Sequence, residues 1–402
     1  MAEFLIHNPT LAQDLLETYG SPLYVYEGDR LRCTLHHITQ AFEYPKTHFH
    51  FASVTNGNVA LLQMIRAAGW GLHANTPGDV FLGLKAGFHP AHIVYSGSNL
   101  NAAEMQQLRD WGVTTLNLDS LAQLELCCEV YGAGIALSEP ERLRLGLRLN
   151  VPELTGESRI GVRPEEFPAA IALTHQWGLQ LTGVHFYRGT GTNATQAFTQ
   201  VIDRVIDIAQ TLPDWRYLDF GGGFGYPYRH GGAAFNWPAF GAAMTQALQK
   251  LNRPIELVIE PGRAAIAGCA TLLTRVVSVK WQGDRQIVGT DTTVANLSVP
   301  SVHGGYREIC SLSPAHTPTL YSTDVCGNTT YSRDYLGRQC PLPKLETGDI
   351  LAILDVGAYG YAMSSHFLHR PRPAEVLLEG GSHRLIRQRE DYQVLISNQV
   401  FA

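Results

Sequence analysis

The stretch THFHFASVTNGNVALLQMIRAAGWGLHANT, residues 47–76, contains the repeating unit that decides the fold. It opens with β-branched and aromatic residues, continues with apolar residues at helical spacing over 58–70, and ends in a second strand-like run. A helix between two such runs is typical of a parallel sheet, because it returns the chain to the edge where the first strand began. The stretch therefore predicts a strand–helix–strand unit.

The same alternation continues along the chain, with further amphipathic stretches at 101–112 and 195–212. The strand-like runs are 47–54, 71–76, 92–98, 114–120, 142–150, 179–187, 216–223 and 255–262. Eight alternations over about 220 residues fit a closed (β/α)8 barrel, for which about 250 residues is typical. An open, doubly wound sheet is the alternative, although such sheets usually have fewer strands.

After residue 263 the pattern changes to strand-like runs separated by turns, with little helix between them. These runs are 270–281, 285–291, 318–325, 349–357, 373–380 and 383–390. They predict a C-terminal, mostly antiparallel β domain, and the strand-like N-terminal segment 22–28 joins it. We therefore predict a barrel over residues 25–265 and a β domain formed by residues 1–24 and 266–402.

The charge composition limits the classes of function. Charged residues make up 16% of the 402, against about 25% in soluble domains, which indicates a surface partly covered by a partner subunit. The net charge of −6, without a basic run, argues against nucleic acid as the main ligand.

Targeting and metal-binding patterns are also absent from the sequence. No apolar stretch approaches the roughly 18 residues needed to span a bilayer. The opening MAEFLIHNPT lacks the basic and apolar segments of a secretory signal. The seven cysteines are scattered without the paired spacing of a zinc site, so we predict no metal. We expect a soluble, cytoplasmic, oligomeric protein.

Two glycine-containing turns follow the last two barrel strands, at the end of the barrel where such folds carry their active sites. Gly221, Gly222 and Gly223 would let backbone N–H groups surround an anion, although a tight turn would also select glycine. Glu260 and Arg263 flank the next turn, where a guanidinium suits a phosphate and a carboxylate suits a protonated ring nitrogen. A structural salt bridge is the alternative. Together the turns predict a site for a phosphorylated heteroaromatic cofactor.

Ordered motifs cover nearly the whole chain, from Pro22 to Val376. They are SPLYVY, GLHANTPGDVFLGLKAGF, NLDSLAQLE, SRIGV, VHFYRGTG, LDFGGGFG, IEPGR, DVGAYGYAM and RPRPAEVLL. With these motifs the chain resembles the pyridoxal-phosphate-dependent decarboxylases of the alanine-racemase-like fold, which include diaminopimelate, ornithine and arginine decarboxylases. Diaminopimelate decarboxylase is the branch that it resembles most. The resemblance implies pyridoxal 5'-phosphate as cofactor, an amino-acid substrate, and active sites at a homodimer interface.

The resemblance also assigns cofactor contacts residue by residue. It implies that the phosphate is held by Gly221, Gly222, Gly223, Thr190, Arg263 and Tyr359. It places Glu260 against the pyridine nitrogen and Arg159 near the ring hydroxyl. His185 and Gly262 belong to the cofactor site through the matching motifs VHFYRGTG and IEPGR.

The cofactor lysine of the family lies in a strand-end motif of the form YAVKANSN, and the matching FASVTNGN has Val54 at that position. A valine cannot bond covalently to the cofactor aldehyde. Lys46 is eight residues earlier, up to about 29 Å along an extended strand, and Lys85 follows the next strand on a predicted helix. We therefore predict that the cofactor is held non-covalently.

Other reactive positions in the barrel differ from the family pattern. His73 stands where the resemblance leads us to expect an aspartate after the second strand, and Tyr187 replaces the histidine that stacks on the cofactor ring. Arg188 follows Tyr187 as a candidate substrate contact. His73 and Tyr187 are candidates for moving protons, because imidazole titrates near neutrality. A polar residue satisfied at a strand end is the alternative for His73.

Substrate-facing positions of the β domain differ too. The family segment GPxCxxxD appears as residues 327–334, so that Thr330 replaces the cysteine proton donor and Tyr331 replaces the acid that recognises basic substrates. Asp334 keeps the final acid and is a candidate substrate contact. Val299 replaces the arginine that grips a distal carboxylate. Thr330 and Tyr331 are therefore candidate catalytic residues, although their side chains differ from those of the family.

Three hypotheses follow from this pattern. The first is a divergent decarboxylase-like enzyme that holds its cofactor by the phosphate and acts on an amino acid or amino-acid conjugate. The second is a non-catalytic homologue that binds the cofactor or another phosphorylated ligand. The third is an ordinary diaminopimelate- or ornithine-type decarboxylase whose lysine has been lost. In each, we expect a homodimer that combines the glycine turn of one chain with Thr330, Tyr331 and Asp334 of the other.

Overall fold

The structure is a computed structural model that describes residues 4–132, 143–189, 191–229, 231–313 and 319–401. The chain divides into two compact units. One comprises Arg32–Tyr226 and Ala233–Ala265, and the other comprises the residues up to Leu31, Pro227–Gly232, and the residues from Ile266 onwards. The chain opens with α1 (Pro9–Tyr19), β1 (Leu23–Glu27) and α2 (Gly28–Gln40).

The first unit is a closed barrel of parallel strands. These are β2 (Thr47–Ala52), β3 (Gly71–Ala74), β4 (Ile93–Tyr95), β5 (Thr115–Leu118), β6 (Arg144–Arg148), β7 (Leu181–His185), β8 (Tyr217–Asp219) and β9 (Glu256–Ile259). The barrel closes where β2 pairs with β9, with Phe49 opposite Ile259. Every residue of β3, β5 and β7 is buried, as expected for parallel strands covered on both faces. The predicted barrel is confirmed, and the open sheet is excluded.

Helices connect successive barrel strands. They are α3 (Val59–Ala67), α4 (Pro77–Lys85), α5 (Ala102–Asp110), α6 (Leu121–Gly132), α7 (Pro152–Thr155), α8 (Phe167–Gln176), α9 (Thr195–Thr199), α10 (Ile202–Ala209), α11 (Trp237–Gln249) and α12 (Arg263–Ile266). Short polar side chains cap several of them: Asn58 accepts from the amide of Ala60 at 3.0 Å, and Thr76 forms a capping box with Asp79. The single helix predicted over 195–212 is divided into α9 and α10.

The second unit is a mostly antiparallel β domain, as predicted. Its further elements are β10 (Ala270–Gln282), β11 (Arg285–Thr290), α13 (Val299–Val302), β12 (Ile309–Ser311), β13 (Tyr321–Cys326), β14 (Tyr335–Leu342), β15 (Ile350–Ile353), β16 (Ala374–Glu379) and β17 (Ser382–Arg387). The long β10 pairs antiparallel with β1, β11 and β15, while β1–β16 and β11–β13 are parallel. The pattern had not predicted β12 and β14.

The core of the β domain explains why the N-terminal segment belongs to it. Leu15 of α1 and Leu23 and Val25 of β1 are fully buried in one cluster with Leu273 of β10 and Val376 of β16.

None of the described helices combines the length and apolar character needed to cross a membrane.

Candidate active site

Three buried side chains meet at the carboxyl end of the barrel. Glu260 follows β9, and its Oε2 lies 3.2 Å from Nε2 of His185, the last residue of β7. The same oxygen lies 3.5 Å from Nε2 of His73 in β3. The two imidazole rings are nearly parallel, with centroids 6.3 Å apart. The side chains of Glu260, His185 and His73 are only 2%, 1% and 9% exposed, so bulk water is largely excluded from the cluster.

A second carboxylate, Asp219 at the end of β8, joins this cluster. Ligand atoms of His185, Asp219 and Glu260 all lie within 4.8 Å of one another. Burial raises the pKa of Asp219 well above its usual range, and the charge of Glu260 raises it further. Burial also raises the pKa of Glu260 to about 7, although Asp219 and the charge of Arg148 act in the opposite direction. Because two buried carboxylates in contact repel each other when both are ionised, we infer that the pair retains a proton near neutral pH.

Both histidines of the cluster are neutral at pH 7. Burial lowers the pKa of His185 to about 4, although the nearby Asp219 opposes this. Burial lowers the pKa of His73 well below its usual range, and His185 and Arg148 lower it further. A neutral imidazole has one ring nitrogen that accepts and one that donates. Each neutral imidazole can therefore accept a proton at one ring nitrogen and donate a proton from the other.

Arg148 at the end of β6 is a site residue that the sequence analysis missed. Its guanidinium carbon lies 5.1 Å from the centroid of the Tyr187 ring. Burial lowers the pKa of Arg148, while the charges of Glu260, Asp119 and other neighbours raise it. The available signal was a basic residue at the carboxyl end of a barrel strand, in RLRLGLRLN.

Asp219 and its partners were also missed. Asn117 of β5 donates from Nδ2 to Oδ2 of Asp219 at 2.8 Å, and Tyr217 donates to Oδ1 of Asn117 at 2.9 Å. The amide of Gly221 donates to Oδ1 of Asp219 at 3.0 Å. This chain of hydrogen bonds fixes Asp219 beside Glu260. In the sequence, Asp219 stands out only as part of the motif LDFGGGFG.

The glycine turn after β8 has backbone that only glycine allows. Gly221 and Gly223 have φ of +66° and +95°, and a Cβ on them would lie 2.1 Å and 2.2 Å from the carbonyl oxygens of Phe186 and Gly189. Within the described ranges, no acceptor receives the amides of Gly222 and Gly223. These two adjacent donors suit an anion. Gly221 contributes its conformation, since its own amide is occupied by Asp219.

Arg263, the first residue of α12, lies close to this turn. A Cβ on Gly191 would be 3.4 Å from its Nε. The amide of Gly191 donates to the carbonyl oxygen of Gly223 at 2.9 Å, so the loop that Arg263 approaches is joined to the glycine turn. A guanidinium and two amides without an acceptor among the described residues therefore lie near each other. Thr190 lies outside the described residues.

Val54 lies in a 3₁₀ turn, Ser53–Thr55, directly after β2, and its side chain is 44% exposed. The hydroxyl of Ser53 donates to the carbonyl oxygen of His73 at 3.0 Å, which ties the end of β2 to that of β3. On the other side a Cβ on Gly262 would lie 2.7 Å from Cγ2 of Thr55, so glycine is needed there. Val54 therefore presents an aliphatic side chain at the carboxyl end of the barrel.

Arg188 and Arg159 are the two other arginines that the sequence predicted as site residues. Nη1 of Arg188 donates to the carbonyl oxygen of Leu154 at 3.1 Å, which directs its head toward α7. Arg159 is exposed. Its segment is nevertheless anchored at the barrel end, because the amide of Gly161 donates to the carbonyl oxygen of Asp119 at 3.0 Å.

Asp334 has a structural role in the β domain. It is 3% exposed, and its carboxylate accepts from the amide of Val294 at 2.7 Å and from the hydroxyl of Thr293. It also accepts from the amide and the hydroxyl of Thr329, at 3.1 Å and 2.5 Å. These donors occupy both carboxylate oxygens, which corrects the prediction that Asp334 contacts a substrate. It holds the loop that carries Thr330 and Tyr331.

The remaining predicted residues also lie in the β domain. Thr330 is exposed, and Tyr331 is half-buried with its ring edge-to-face against Phe367 at a centroid distance of 5.5 Å. Tyr359 has a left-handed backbone, with φ of +59°. Val299, at the start of α13, is buried.

Comparison with known proteins agrees with this architecture. Residues 29–267 match the family model described as the pyridoxal-dependent decarboxylase, pyridoxal binding domain. The chain belongs to this family. A diaminopimelate decarboxylase of Methanothermobacter thermautotrophicus is 32% identical over 403 residues, covering 96% of this chain and 94% of that protein.

Further relatives extend the likeness over both units. The diaminopimelate decarboxylase of Escherichia coli strain K12 is 29% identical, with 94% of each chain covered. The crystal structure of the Helicobacter pylori enzyme complexed with L-lysine superposes with a TM-score of 0.87 at 27% identity, covering 96% of this chain and 98% of that one. Family membership therefore rests on the whole chain.

Pyridoxal phosphate is the cofactor of the family, and the residues at the barrel end fit it. The amides of Gly222 and Gly223, beside Arg263, match the phosphate. Oε1 of Glu260 is buried and receives no amide, ring-nitrogen or hydroxyl donor from the described residues, so it has capacity for a protonated ring nitrogen. A pKa of about 7 allows this carboxyl group to ionise when a cation arrives.

Proposed function

We propose that this chain is a decarboxylase-like protein that holds pyridoxal phosphate non-covalently, through its phosphate, and acts on an amino acid or amino-acid conjugate. The supporting observation is that Gly222, Gly223 and Arg263 suit a phosphate and Glu260 suits a ring nitrogen, at a barrel end that has no lysine. Family membership supports the cofactor, and the distribution of lysines supports the absence of a covalent bond.

The chain has five lysines, and the described residues include all of them. Lys46 precedes β2 and lies at the amino end of the barrel, about 20 Å from the other end for a six-residue strand. Lys85 ends α4 and Lys250 follows α11, and barrel helices end at the amino side of the strands. Lys280 and Lys344 belong to the β domain. No lysine of the barrel unit therefore lies at the carboxyl end of a strand.

The cofactor, when bound, supplies an aldehyde for the substrate amine and a ring that withdraws electrons from the bond to the carboxylate. The chain's own residues hold it: Gly222, Gly223 and Arg263 at the phosphate, and Glu260 at the ring nitrogen. His73 lies 3.5 Å from Glu260 and is neutral, so its imidazole can exchange a proton with this carboxyl group. We assign Tyr187 to contact with the cofactor ring. The guanidinium of Arg148 lies over one face of the Tyr187 phenol ring.

A second candidate function is cofactor binding without catalysis. It is favoured by Thr330, which cannot replace a thiol as an acid of moderate pKa, and by the aliphatic Val54 where the resemblance expects a lysine. The third candidate is diaminopimelate decarboxylation, the activity that the names of the relatives give for those proteins. Val54 and Val299 argue against it, since neither can bond to an aldehyde or grip a carboxylate.

We also propose a homodimer in which the barrel of one chain meets Thr330 and Tyr331 of the other. The low charged fraction, 16%, and the resemblance support this. Light scattering should give twice the chain mass of 44.2 kDa. A monomer at all concentrations would contradict the shared site.

The proposal is tested by carbon dioxide release from a panel of amino acids with added pyridoxal phosphate. Release from a neutral, aromatic or conjugated amino acid that requires the cofactor would support an enzyme. Saturable cofactor binding without release from any of them would favour the second candidate.

A Val54→Lys variant, with Val54→Met as a control of similar length without the amine, separates the third candidate. We expect Val54→Lys to form a covalent bond to the cofactor that borohydride reduction traps. We do not expect it to decarboxylate lysine, ornithine, arginine or diaminopimelate. A positioned acid is still needed after carbon dioxide leaves. Appreciable turnover of any of the four would identify an ordinary decarboxylase that has lost its lysine.

A further inference from the structure

We propose that the β domain carries a second ligand site, an arginine-lined cleft that binds a small molecule with two or more carboxylate or phosphate groups. The cleft has a volume of about 310 Å³. The lining residues that carry the argument are Arg229, Tyr306, Arg307, Arg333, Arg338 and Cys340. All belong to the β-domain unit, so no barrel residue of the same chain is needed to form the cleft.

Aromatic rings hold three of the four guanidinium groups. Arg229 lies over the Tyr306 ring at 4.1 Å from its centroid, and Arg338 lies over Tyr335 at 3.7 Å. Arg307 lies over the ring of Tyr228 at 3.8 Å. A stacked guanidinium is fixed by its face, and for Arg229 and Arg338 this leaves the in-plane N–H groups along the edge for an acceptor. The stacks thus reduce the entropy that these side chains would lose on binding.

Three of the four guanidinium charges of the cleft have no acidic partner in the described part of the chain. Among the described residues, no carboxylate oxygen lies within 4.0 Å of a guanidinium nitrogen of Arg229, Arg333 or Arg338. No aspartate or glutamate lines the cleft. Glu308 is the acid whose charge acts on Tyr306, but it is not a lining residue. Three unbalanced positive charges around a concave surface attract a multiply charged anion more strongly than a singly charged one.

The size of the cleft restricts the ligand to a small molecule. A volume of about 310 Å³ is at the lower end of the roughly 300–1,000 Å³ of ligand pockets. Planar guanidinium groups bind carboxylate and phosphate through paired N–H donors. The ligand class is therefore a small polyanion, such as a tricarboxylate or a diphosphate.

Calorimetric titration of citrate and of pyrophosphate into the full chain tests this. The protein is first saturated with pyridoxal phosphate, so that the barrel phosphate site is already filled. We expect one site for at least one probe, and at least roughly tenfold weaker binding in the double variant Arg229→Gln/Arg338→Gln, since each loses paired charge-assisted bonds. Arg384→Gln, which removes one exposed arginine of β17 outside the cleft, should bind as the wild type does.

Cys340 offers a local readout, because it lines the cleft and is half-buried. Bound probe should slow its alkylation, measured by peptide mass spectrometry, and leave that of the exposed Cys33 unchanged. Failure of both probes to bind the wild type would overturn the proposal. Equal weakening by Arg384→Gln, or unchanged alkylation of Cys340 at saturation, would also overturn it, by showing non-specific attraction or binding elsewhere.

Discussion

The barrel end and the loop over residues 327–334 of the β domain both bury carboxylates, and they treat them in opposite ways. Asp334 accepts two backbone amides and two hydroxyl groups, from Thr329 of its own loop and from the neighbouring Thr293 and Val294. Glu260 has one oxygen 3.2 Å from His185 and 3.5 Å from His73, and it adjoins a second acid, Asp219; its other oxygen receives no amide, ring-nitrogen or hydroxyl donor from the described residues. A satisfied buried charge stabilises a fold, whereas one left unsatisfied costs stability.

The contrast separates structural from functional acids. Raised carboxyl pKa values in a cluster with unused hydrogen-bond acceptors are typical of ligand-binding and catalytic sites. The barrel end fits this description, since Glu260 suits a cationic group and the amides of the glycine turn suit an anion. The loop of Asp334 is complete without any ligand.

Replacing Asp334 by alanine should have the largest effect on stability. It leaves the amides of Val294 and Thr329 and two hydroxyl groups without their acceptor, so the free energy of unfolding should fall by roughly 3–5 kcal/mol. Urea unfolding of the full chain measures this. Asp284→Ala, at an exposed turn position, is the control and should change it by less than about 0.5 kcal/mol. A loss no larger than that of the control would refute the structural role.

Replacing Arg263 by alanine should weaken binding of pyridoxal phosphate by roughly 1.5–3 kcal/mol, the scale of hydrogen bonds to a charged group. Fluorescence titration of the cofactor measures the change. Arg253→Ala, at an exposed position near Trp215, should bind as the wild type does. Equal affinity of the wild type and Arg263→Ala would remove this residue from the phosphate site.

Replacing Glu260 by glutamine should stabilise the cofactor-free protein at pH 8 by about 1–3 kcal/mol. The pKa of Glu260 is raised by burial to about 7, so the native state contains a costly buried charge above that pH. As the pH falls toward the unfolded value of about 4.5, the carboxyl group becomes neutral in the native state and the advantage disappears. Urea unfolding at pH 8 and pH 4.5 tests this, and an equal effect at both values would contradict the raised pKa.

Replacing Arg148 by glutamine should have the smallest effect. Its charge lowers the pKa of Glu260, so removing it should raise that pKa by less than about one unit. If ionised Glu260 receives the ring nitrogen, the midpoint of the pH dependence of cofactor binding should move upward accordingly. Arg144→Gln, at the other end of β6, is the matched control and should leave the midpoint unchanged. A downward shift would contradict the assignment.

The sequence predicted the eight barrel strands because buried parallel strands favour short runs of β-branched and aromatic residues, as in Ile93–Tyr95. It missed β12, which has three residues, and β14, which is half-exposed and contains Pro341. The division of the helix over 195–212 was missed because apolar spacing continues across the break at residues 200–201.

The glycine turn, Glu260 and Arg263 were predicted because their spacing alone is informative. Arg148, Asn117 and Asp219 were not, since each is a single polar residue whose importance depends on the strands that flank it in the barrel. For Asp334 the sequence indicated the position but not the role. Its position in a motif was evident, but only the fold shows that its oxygens are occupied.

The central claim is that the cofactor is held without a covalent bond to the protein. It is tested most directly by adding one equivalent of pyridoxal phosphate to the wild type, treating the complex with borohydride and measuring the intact mass. We predict saturable binding that dialysis reverses, weaker binding by Arg263→Ala, and no mass increase after reduction. A mass increase of one reduced pyridoxyl group, mapped to a lysine and abolished in Arg263→Ala, would contradict the account.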